Sequence, residues 1–263
     1  MRNLPVCYLS VFTLLFTMFC AAPAYSADNS KPLVLVGSTW PPYVDKKAPQ
    51  QGAAMDLVKQ IFLRAGYPIS TRIESWPRTL EGAKIGIYDV VATAWINSER
   101  QKTLAFSDPY FENVIRFVKR KDSNIQFSDY HELKGLVVGT INGYAYGEKF
   151  LSSPGLIRVP KNHLIQNLLL LKQGRIDLAL GDQWVIRNEL TEYFPTAIKD
   201  FQFVGKPVSR RNLYIAVSRK LPNYTKIVAD FNKTLKLMKA DGSLKKIIKK
   251  HQKNLIRLTE TPL

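Results

Sequence analysis

Short apolar runs alternate with helix-like segments along most of this 263-residue chain, and that alternation constrains the fold more than any other feature. The runs Leu33–Gly37, Val90–Ala92 and Leu178–Leu180 predict strands. Between them, apolar residues spaced three and four positions apart predict helices, as from Met55 to Phe62. Because strands that alternate with helices pack as layers, the sequence predicts an α/β fold.

An internal similarity indicates two related halves. The segment Gly86–Trp95 resembles the segment Gly174–Trp184: each has a Gly that ends a helix, an Asp three residues later, an apolar strand, and polar groups with a Trp at its carboxyl end. In open α/β sheets, ligands bind outside that end of the strands. Two such halves facing each other would place Arg100 and Asp182 on opposite walls of one cleft. The alternative is chance, since short-strand patterns are common.

The N-terminus has the composition of an export signal. Arg2 supplies a positive start, Val6–Phe19 is an apolar run, and small residues precede a cleavage site after Ser26, or alternatively after Ala24. The other alternative, an uncleaved membrane anchor, would require a longer run. The sequence therefore predicts a signal peptide at 1–26 and export to the periplasm.

The cysteines and histidines offer no evident site for a metal or for covalent catalysis. Both cysteines, Cys7 and Cys20, lie in the predicted signal, so the mature chain would have neither a disulfide nor a thiol nucleophile. His131, His163 and His251 are far apart and have no carboxylate or second His at metal-ligand spacing. We therefore expect no metal and no cofactor.

The formal net charge of +17 raises the question of nucleic-acid binding. Much of the excess lies toward the C-terminus, in Lys233, Lys236, Lys239, Lys245, Lys246, Lys249, Lys250 and Lys253. No aromatic residue interleaves this run after Phe231, although base stacking would need one. An exported protein also rarely meets nucleic acid, so we expect no nucleic-acid partner. The lysines fit a solvated helix face that interacts weakly with anionic envelope surfaces.

The stretch 94–111 carries the clearest functional signal. After an apolar strand the chain turns and presents Arg100, whose planar guanidinium can bind both oxygens of a carboxylate. Residues 97–100 read Asn-Ser-Glu-Arg, and residues 106–110 read Phe-Ser-Asp-Pro-Tyr. These motifs resemble the extracellular solute-binding proteins of family 3, the receptors for amino acids and similar small polar solutes. Residues 239–247, Lys-Ala-Asp-Gly-Ser-Leu-Lys-Lys-Ile, are similar to the ending common in that family.

The resemblance covers nearly all of the mature chain and implies a fold. That fold is the two-lobed periplasmic-binding-protein fold of type II, with two α/β domains joined by a two-strand hinge and a ligand cleft between them. Lobe 1 would be discontinuous, comprising 27–121 plus 209–263, and lobe 2 would comprise 122–208. Crossing strands near Arg116–Lys121 and Phe203–Val208 would form the hinge. A monomer is the usual state in the family.

The resemblance also implies two charged anchors and aromatic walls. Arg100 would hold the ligand's α-carboxylate, and Asp182 stands where the family carries the acid that binds the α-ammonium group. Trp40 stands where the family has an aromatic that packs against the ligand, and Tyr43 and Trp95 are further wall candidates. Structural explanations remain open: a surface ion pair with Glu99 for the arginine, a helix cap for the aspartate, and core packing for the aromatics.

Asn142, Gly143 and Tyr144 complete the predicted site from the second lobe. We expect them at the start of a helix, whose backbone N–H groups can receive a carboxylate oxygen. The family usually has Gly-Thr or Gly-Ser here, so Tyr144 departs from its pattern, as do Ala53 and Trp95 elsewhere. These departures keep the anchors but leave the identity of the ligand's side chain open.

Taken with the export signal, these features predict a periplasmic receptor that closes around a small polar solute. The solute would be an amino acid or a related carboxylate, delivered to the permease of an ABC-type transporter, and we expect no enzyme. The alternative is an enzyme on the same scaffold, similar to a cyclohexadienyl or arogenate dehydratase, which would need a further acid or base such as Glu74. A sensor that passes the closed state to a separate signalling protein is a third possibility.

Overall fold

The computed structural model describes the backbone of residues 31–259 and the side chains of residues 31–251. The predicted signal peptide, with Cys7 and Cys20, lies outside the described residues, as does the side chain of Lys253. None of the helices within 31–259 combines the length and the apolar character that crossing a membrane requires.

Strands and helices alternate along the described chain, as predicted. The strands are β1 (Leu33–Ser38), β2 (Ile69–Glu74), β3 (Val90–Ala94), β4 (Leu104–Phe106), β5 (Phe111–Arg120), β6 (Val137–Ile141), β7 (Ile157–Lys161), β8 (Leu178–Asp182), β9 (Phe201–Phe203) and β10 (Ser209–Ser218). The helices are α1 (Ala53–Arg64), α2 (Trp76–Ile85), α3 (Ser98–Gln101), α4 (Glu148–Leu151), α5 (Leu164–Lys172), α6 (Gln183–Tyr193), α7 (Tyr224–Ala240) and α8 (Ser243–Thr259). The α/β class is confirmed.

The main strands follow one another in the order β2-β1-β3-β10-β5-β8-β6-β7. At one end β1 pairs in parallel with β2 and β3, and at the other end β6 pairs in parallel with β7 and β8. We call β2-β1-β3 the first sheet section and β8-β6-β7 the second sheet section. The antiparallel pair of β5 and β10 lies between them.

The internal repeat of the sequence is confirmed in three dimensions. In each half a glycine with positive φ follows a helix, and an aspartate comes three residues later. Asp89 Oδ2 accepts a hydrogen bond from Val34 N at 2.7 Å, and Asp177 Oδ2 accepts one from Val137 N at 2.8 Å. Each aspartate thus ties the start of its own strand to the neighbouring parallel strand. Strands β3 and β8 therefore occupy equivalent places in the two sections.

Strands β3 and β8 are held in place by burial on both faces. Every residue of β3 and of β8 is buried, which is typical of parallel strands that are covered on both faces. Helix α1 places its apolar stripe, Leu57, Val58, Ile61 and Phe62, in the core and contacts β3, α7 and α8. The buried strands β3 and β8 therefore hold the chain firmly at the points where the loops that follow them begin.

Strands β5 and β10 connect the two sections. Residues 209–213 pair with β5, and residues 214–218 pair with β3 and β4, while β5 also pairs with β8. The hinge strand predicted near Phe203–Val208 is a few residues too early, since the crossing strand begins at Ser209. Pro207 lies just before it and has no N–H to donate to a strand ladder. The lobe boundaries stay a prediction.

The lysines of α7 and α8 that have described side chains are exposed, as a solvated helix face requires. They are Lys226, Lys233, Lys236, Lys239, Lys245, Lys246, Lys249 and Lys250. Lys239 Nζ donates to the Pro109 carbonyl at 3.2 Å, and Lys250 lies 3.7 Å from Asp56. The basic C-terminal region therefore consists of surface residues on two helices that pack against α1.

Candidate ligand-binding site

Arg100 lies in α3, shortly beyond the carboxyl end of β3. Asn97 caps this short helix and accepts from the Arg100 N–H at 2.8 Å, so the turn after the strand sets the position of the arginine. Arg100 is only 7% exposed. Its Nη1 donates to the Trp95 carbonyl, and its Nη2 donates to the Gly143 carbonyl at 2.6 Å. The guanidinium therefore joins the loop after β3 to the loop after β6.

The surface ion pair considered for Arg100 is wrong, because Glu99 pairs instead with Lys102 at 2.5 Å. No carboxylate within the described residues forms an ion pair with Arg100. Burial lowers the pKa of Arg100 to about 10; Tyr144 opposes this change and Arg211 adds to it. The group stays protonated at neutral pH, and of its five N–H donors two meet carbonyl oxygens. A buried cation without a counter-ion is costly, which favours an anionic ligand group.

Asp182 ends β8 and caps α6. Its Oδ1 accepts hydrogen bonds from Trp184 N at 2.9 Å and Val185 N at 3.2 Å. The capping alternative raised by the sequence is therefore confirmed. Asp182 lies between a strand and a helix, where the first N–H groups of the helix have no backbone acceptor. Its carboxylate supplies an acceptor for two of them.

Asp182 has further partners beyond the cap. Tyr43 OH donates to Oδ1 at 3.1 Å, and Oδ2 accepts from Asn113 Nδ2 and Val114 N, both at 3.2 Å. Burial raises the pKa of Asp182 to about 6, although the hydrogen bonds it accepts lower that pKa. Five donors thus surround this carboxylate. Its role as an anchor for a ligand ammonium group stays a prediction.

Four aromatic rings meet between the two sheet sections. The Tyr144 ring centroid lies 6.4 Å from that of Trp40, 6.1 Å from that of Trp76 and 5.3 Å from that of Trp95. All three contacts are edge-to-face, the arrangement that aromatic quadrupoles favour. Tyr144, which departs from the family pattern, therefore fills the space between three tryptophans.

The two remaining wall candidates also serve the core. Tyr43 is 1% exposed, and its ring lies 4.8 Å from that of Trp40 and 5.5 Å from that of Phe111. Trp95 is 5% exposed and donates from Nε1 to Asn113 Oδ1 at 2.9 Å. Trp95 lines a cavity, whereas Tyr43 contacts the site through its bond to Asp182.

The loop 142–144 differs from the prediction, because no helix starts there. Asn142 N donates to the Lys161 carbonyl at 2.9 Å, Tyr144 N donates within the turn at 3.2 Å, and α4 begins only at Glu148. The cause is Tyr146, whose buried hydroxyl accepts from the last N–H of β6 at 3.0 Å and holds the chain against the strand end. The loop therefore offers the Gly143 carbonyl to Arg100 rather than free N–H groups to an anion.

Two cavities adjoin the aromatic rings. A cavity of about 30 Å³ is lined by Arg100 and Trp95, among others, and a cavity of about 550 Å³ is lined by Asp182 and Asn142, among others. Four residues line both cavities: Ser38, Trp40, Trp76 and Tyr144. The two predicted anchors therefore face different cavities, and Tyr144 stands between them. The larger volume lies in the range of sites for small ligands.

The sequence reasoning missed Trp76 and Glu189. Trp76 is the first residue of α2, and its ring lies 5.0 Å from Arg100 Cζ. Glu189 lines the larger cavity from α6. Val185, Glu189 and Tyr193 are spaced four residues apart on α6, and all three line that cavity. The sequence could therefore have predicted this stripe once α6 was recognised.

Two of the alternatives considered for this chain, a catalytic acid and a metal site, concern specific side chains. Glu74, the acid considered for a dehydratase, lies 3.9 Å from Arg78 and lines neither cavity. No group of three or more His, Cys, Asp or Glu side chains among these residues is arranged to hold a metal ion.

Comparison with known proteins identifies the family. The family model for bacterial extracellular solute-binding proteins, family 3, matches residues 33–254. The chain belongs to this family. It is 27% identical over 221 residues to ABC transporter arginine-binding protein 1 of Escherichia coli (strain K12), covering 81% of this chain and 86% of that protein. It is 26% identical to the L-cystine-binding protein TcyA of Bacillus subtilis (strain 168), covering 86% of this chain and 83% of that protein.

A solved structure supports the same conclusion. The structure of an ancestral arginine-binding protein bound to arginine is 27% identical, with a TM-score of 0.71, and covers 84% of this chain and 98% of that chain. The two-lobed periplasmic-binding-protein fold is thereby confirmed. Membership in the family supports a solute-binding role and an extracellular or periplasmic location. The roles of individual site residues stay predictions.

Proposed function

We propose that this protein is a periplasmic receptor that captures a small polar solute, an amino acid or a related carboxylate, and delivers it to an ABC-type transporter. The observation that carries the proposal is Arg100, a buried guanidinium without a carboxylate partner among the described residues, beyond the carboxyl end of β3. Ligands of open α/β sheets bind at that end. A ligand carboxylate would supply the missing negative charge through the N–H donors that remain.

Closure depends on the same arginine in this proposal. The Gly143 carbonyl reaches Arg100 from the second sheet section, and Tyr144 packs on Trp40 and Trp95 of the first. A carboxylate that binds the guanidinium while touching the Tyr144 loop contacts both sections at once. Such a ligand stabilises the arrangement in which the sections are together, and a permease can recognise that arrangement.

Family membership supports the proposed partner and location. A relative is named as an ABC transporter arginine-binding protein, which supports a membrane permease as the partner. Cleavage after Ser26 would release the mature chain into the periplasm. Both walls of the site come from one chain, so a monomer suffices for binding.

Binding without catalysis is the second part of the proposal. Glu74, the acid considered for an enzyme on this scaffold, lines neither cavity. The two curated relatives described above are named for binding amino acids rather than for a reaction. Incubating the protein with prephenate and arogenate, followed by mass spectrometry, should show unchanged substrate.

The proposal is tested by thermal-shift screening of the mature protein against the twenty amino acids, followed by calorimetry of those that stabilise it. At least one should raise the melting temperature in proportion to ln(1 + [L]/Kd). Arg100→Ala should weaken binding at least about 100-fold, because charged hydrogen bonds are lost. Arg78→Ala is the matched control, since that guanidinium is 79% exposed. A panel in which nothing binds, or an Arg100→Ala variant with the parent's affinity, contradicts the proposal.

A further inference from the structure

Glu189 lines the larger cavity, and one of its carboxylate oxygens is unsatisfied. It lies in the second half of α6, and its Oε2 is buried without a hydrogen-bond partner in the described structure. Burial, together with the smaller effect of the neighbouring charge of Glu192, raises the pKa of Glu189 to about 7. Buried carboxylates are normally paired or hydrogen-bonded, because desolvation of the charge is otherwise uncompensated.

The charge of the cavity wall is opposite to that of the chain. The chain has 38 Lys and Arg residues against 21 Asp and Glu residues. Yet the residues that line the larger cavity include the carboxylates of Asp182 and Glu189 and no lysine or arginine, with His163 as the remaining basic group. An anionic ligand group would find no counter-charge on this wall, whereas a cation would find two carboxylates nearby.

Of these two carboxylates, Glu189 is the available acceptor. The oxygens of Asp182 already accept from five donors, whereas Oε2 of Glu189 accepts from none. Aromatic rings complete the environment, since Trp40, Trp76 and Tyr193 line the same cavity. Aromatic faces attract cations through their quadrupoles, so they favour the same ligand chemistry as the free carboxylate oxygen.

We propose that Glu189 forms a subsite for a cationic group at the distal end of the ligand, a protonated amine or a guanidinium. The inference rests on the proposed receptor function and narrows its ligand to an amino acid with a basic side chain. Glu189 lies seven residues after Asp182, the N-cap of α6, which is about 10 Å along the helix axis. One small group cannot contact both carboxylates, so the subsite fits an elongated ligand. A cation there would donate to Oε2 and neutralise the buried charge.

The experiment compares ligands that differ in one charge. Calorimetry at pH 8 measures L-arginine against L-citrulline, its neutral counterpart of similar shape, and L-lysine against L-norleucine. The parent protein should bind each cationic ligand at least about tenfold more tightly than its neutral counterpart, because a charge-assisted hydrogen bond is gained. In Glu189→Gln the ratio should fall below about threefold, mainly through weaker binding of the cationic ligand.

Two further variants keep the test decisive. Glu192→Gln removes a charge from the exposed side of the same helix and should keep the parent's ratio. Glu189→Asp keeps the charge but withdraws it by one methylene group and should give an intermediate ratio, which also covers the case of a Gln variant that fails to fold. A parent that binds citrulline as tightly as arginine, or a ratio that survives in Glu189→Gln, overturns the subsite while leaving the receptor function standing. A parent that binds no amino acid overturns both.

Discussion

Asp182, the N-cap of α6, and Glu189, in the second half of that helix, line the same cavity, yet their surroundings differ sharply. Asp182 accepts five hydrogen bonds from three separate parts of the chain, whereas Glu189 Oε2 accepts none. Burial raises the pKa of both groups. Only Asp182 has hydrogen bonds that offset this change. The hydrogen bonds of Asp182 are therefore part of the folded structure, whereas Glu189 has a carboxylate oxygen without a protein donor among the described residues.

This difference predicts opposite roles for the two residues. A carboxylate that caps a helix and binds Tyr43 and Asn113 stabilises the packing of the sheet sections, and its loss should damage the folded state. A buried carboxylate without partners destabilises the folded state, and such residues persist where function needs them. Stability measurements can therefore test the comparison without any knowledge of the ligand.

The largest expected effect is a loss of stability in Asp182→Ala. The substitution removes the cap of α6 and leaves the Tyr43 hydroxyl and the Asn113 amide without their acceptor, so the free energy of unfolding should fall by about 3 kcal/mol. Urea unfolding followed by circular dichroism measures the change. Asp122→Ala is the control, since that side chain is 76% exposed, and it should change the value by less than about 0.5 kcal/mol. Equal effects in the two variants would remove the distinction drawn here.

The next effect has the opposite sign and depends on pH. The pKa of Glu189 is raised in the folded state to about 7 from 4.5. The folded protein therefore keeps a proton that the unfolded chain loses between about pH 4.5 and 7, and stability falls as pH rises through that window. Glu189→Gln should be more stable than the parent by about 2–3 kcal/mol at pH 8 and equal to it near pH 4. Urea unfolding at both pH values measures the difference.

Several titratable groups near Glu189 could obscure this result: Asp182, His163, Tyr144, Glu192 and Tyr193. They are present in both proteins, so the difference between variant and parent isolates the carboxylate. Glu192 is exposed and provides the control. Glu192→Gln should differ little from the parent in free energy of unfolding at either pH. A Glu189→Gln variant that is less stable than the parent at pH 8 would show that the carboxylate has a structural partner after all.

Much of the fold could be predicted from the sequence, because its strands and helices depend on local patterns of residues. The repeated Gly, Asp and apolar strand predicted β3 and β8, and both aspartates prove to bind the neighbouring strand. The start of α4 could not be predicted. Tyr146 folds its hydroxyl onto the N–H that ends β6, and that contact depends on burial of the ring rather than on the helical propensity of the loop.

The site could be predicted only in part, because some of its contacts depend on how distant segments pack together. Arg100 follows from a strand, a cap and a turn, all of which are local. The position of Tyr144 between Trp40, Trp76 and Trp95 depends on how the two sheet sections meet, which no periodicity encodes. Glu189 could be placed on one face of α6 by its four-residue spacing from Val185. That its oxygen lacks a partner is a property of the packed structure alone.

The smallest expected effect isolates one bond of the Asp182 network. Tyr43→Phe removes a hydroxyl that donates to this carboxylate at 3.1 Å while leaving a ring of nearly the same volume. Tyr110→Phe is the matched control, since its equally buried hydroxyl donates to the neutral Ala92 carbonyl at 2.8 Å. Because bonds to charged acceptors contribute more, Tyr43→Phe should lower the free energy of unfolding by about 2 kcal/mol and Tyr110→Phe by about 1 kcal/mol at pH 8. If Tyr110→Phe costs as much or more, then Asp182 is not held as a charge, and its contrast with Glu189 lies in geometry rather than in ionisation.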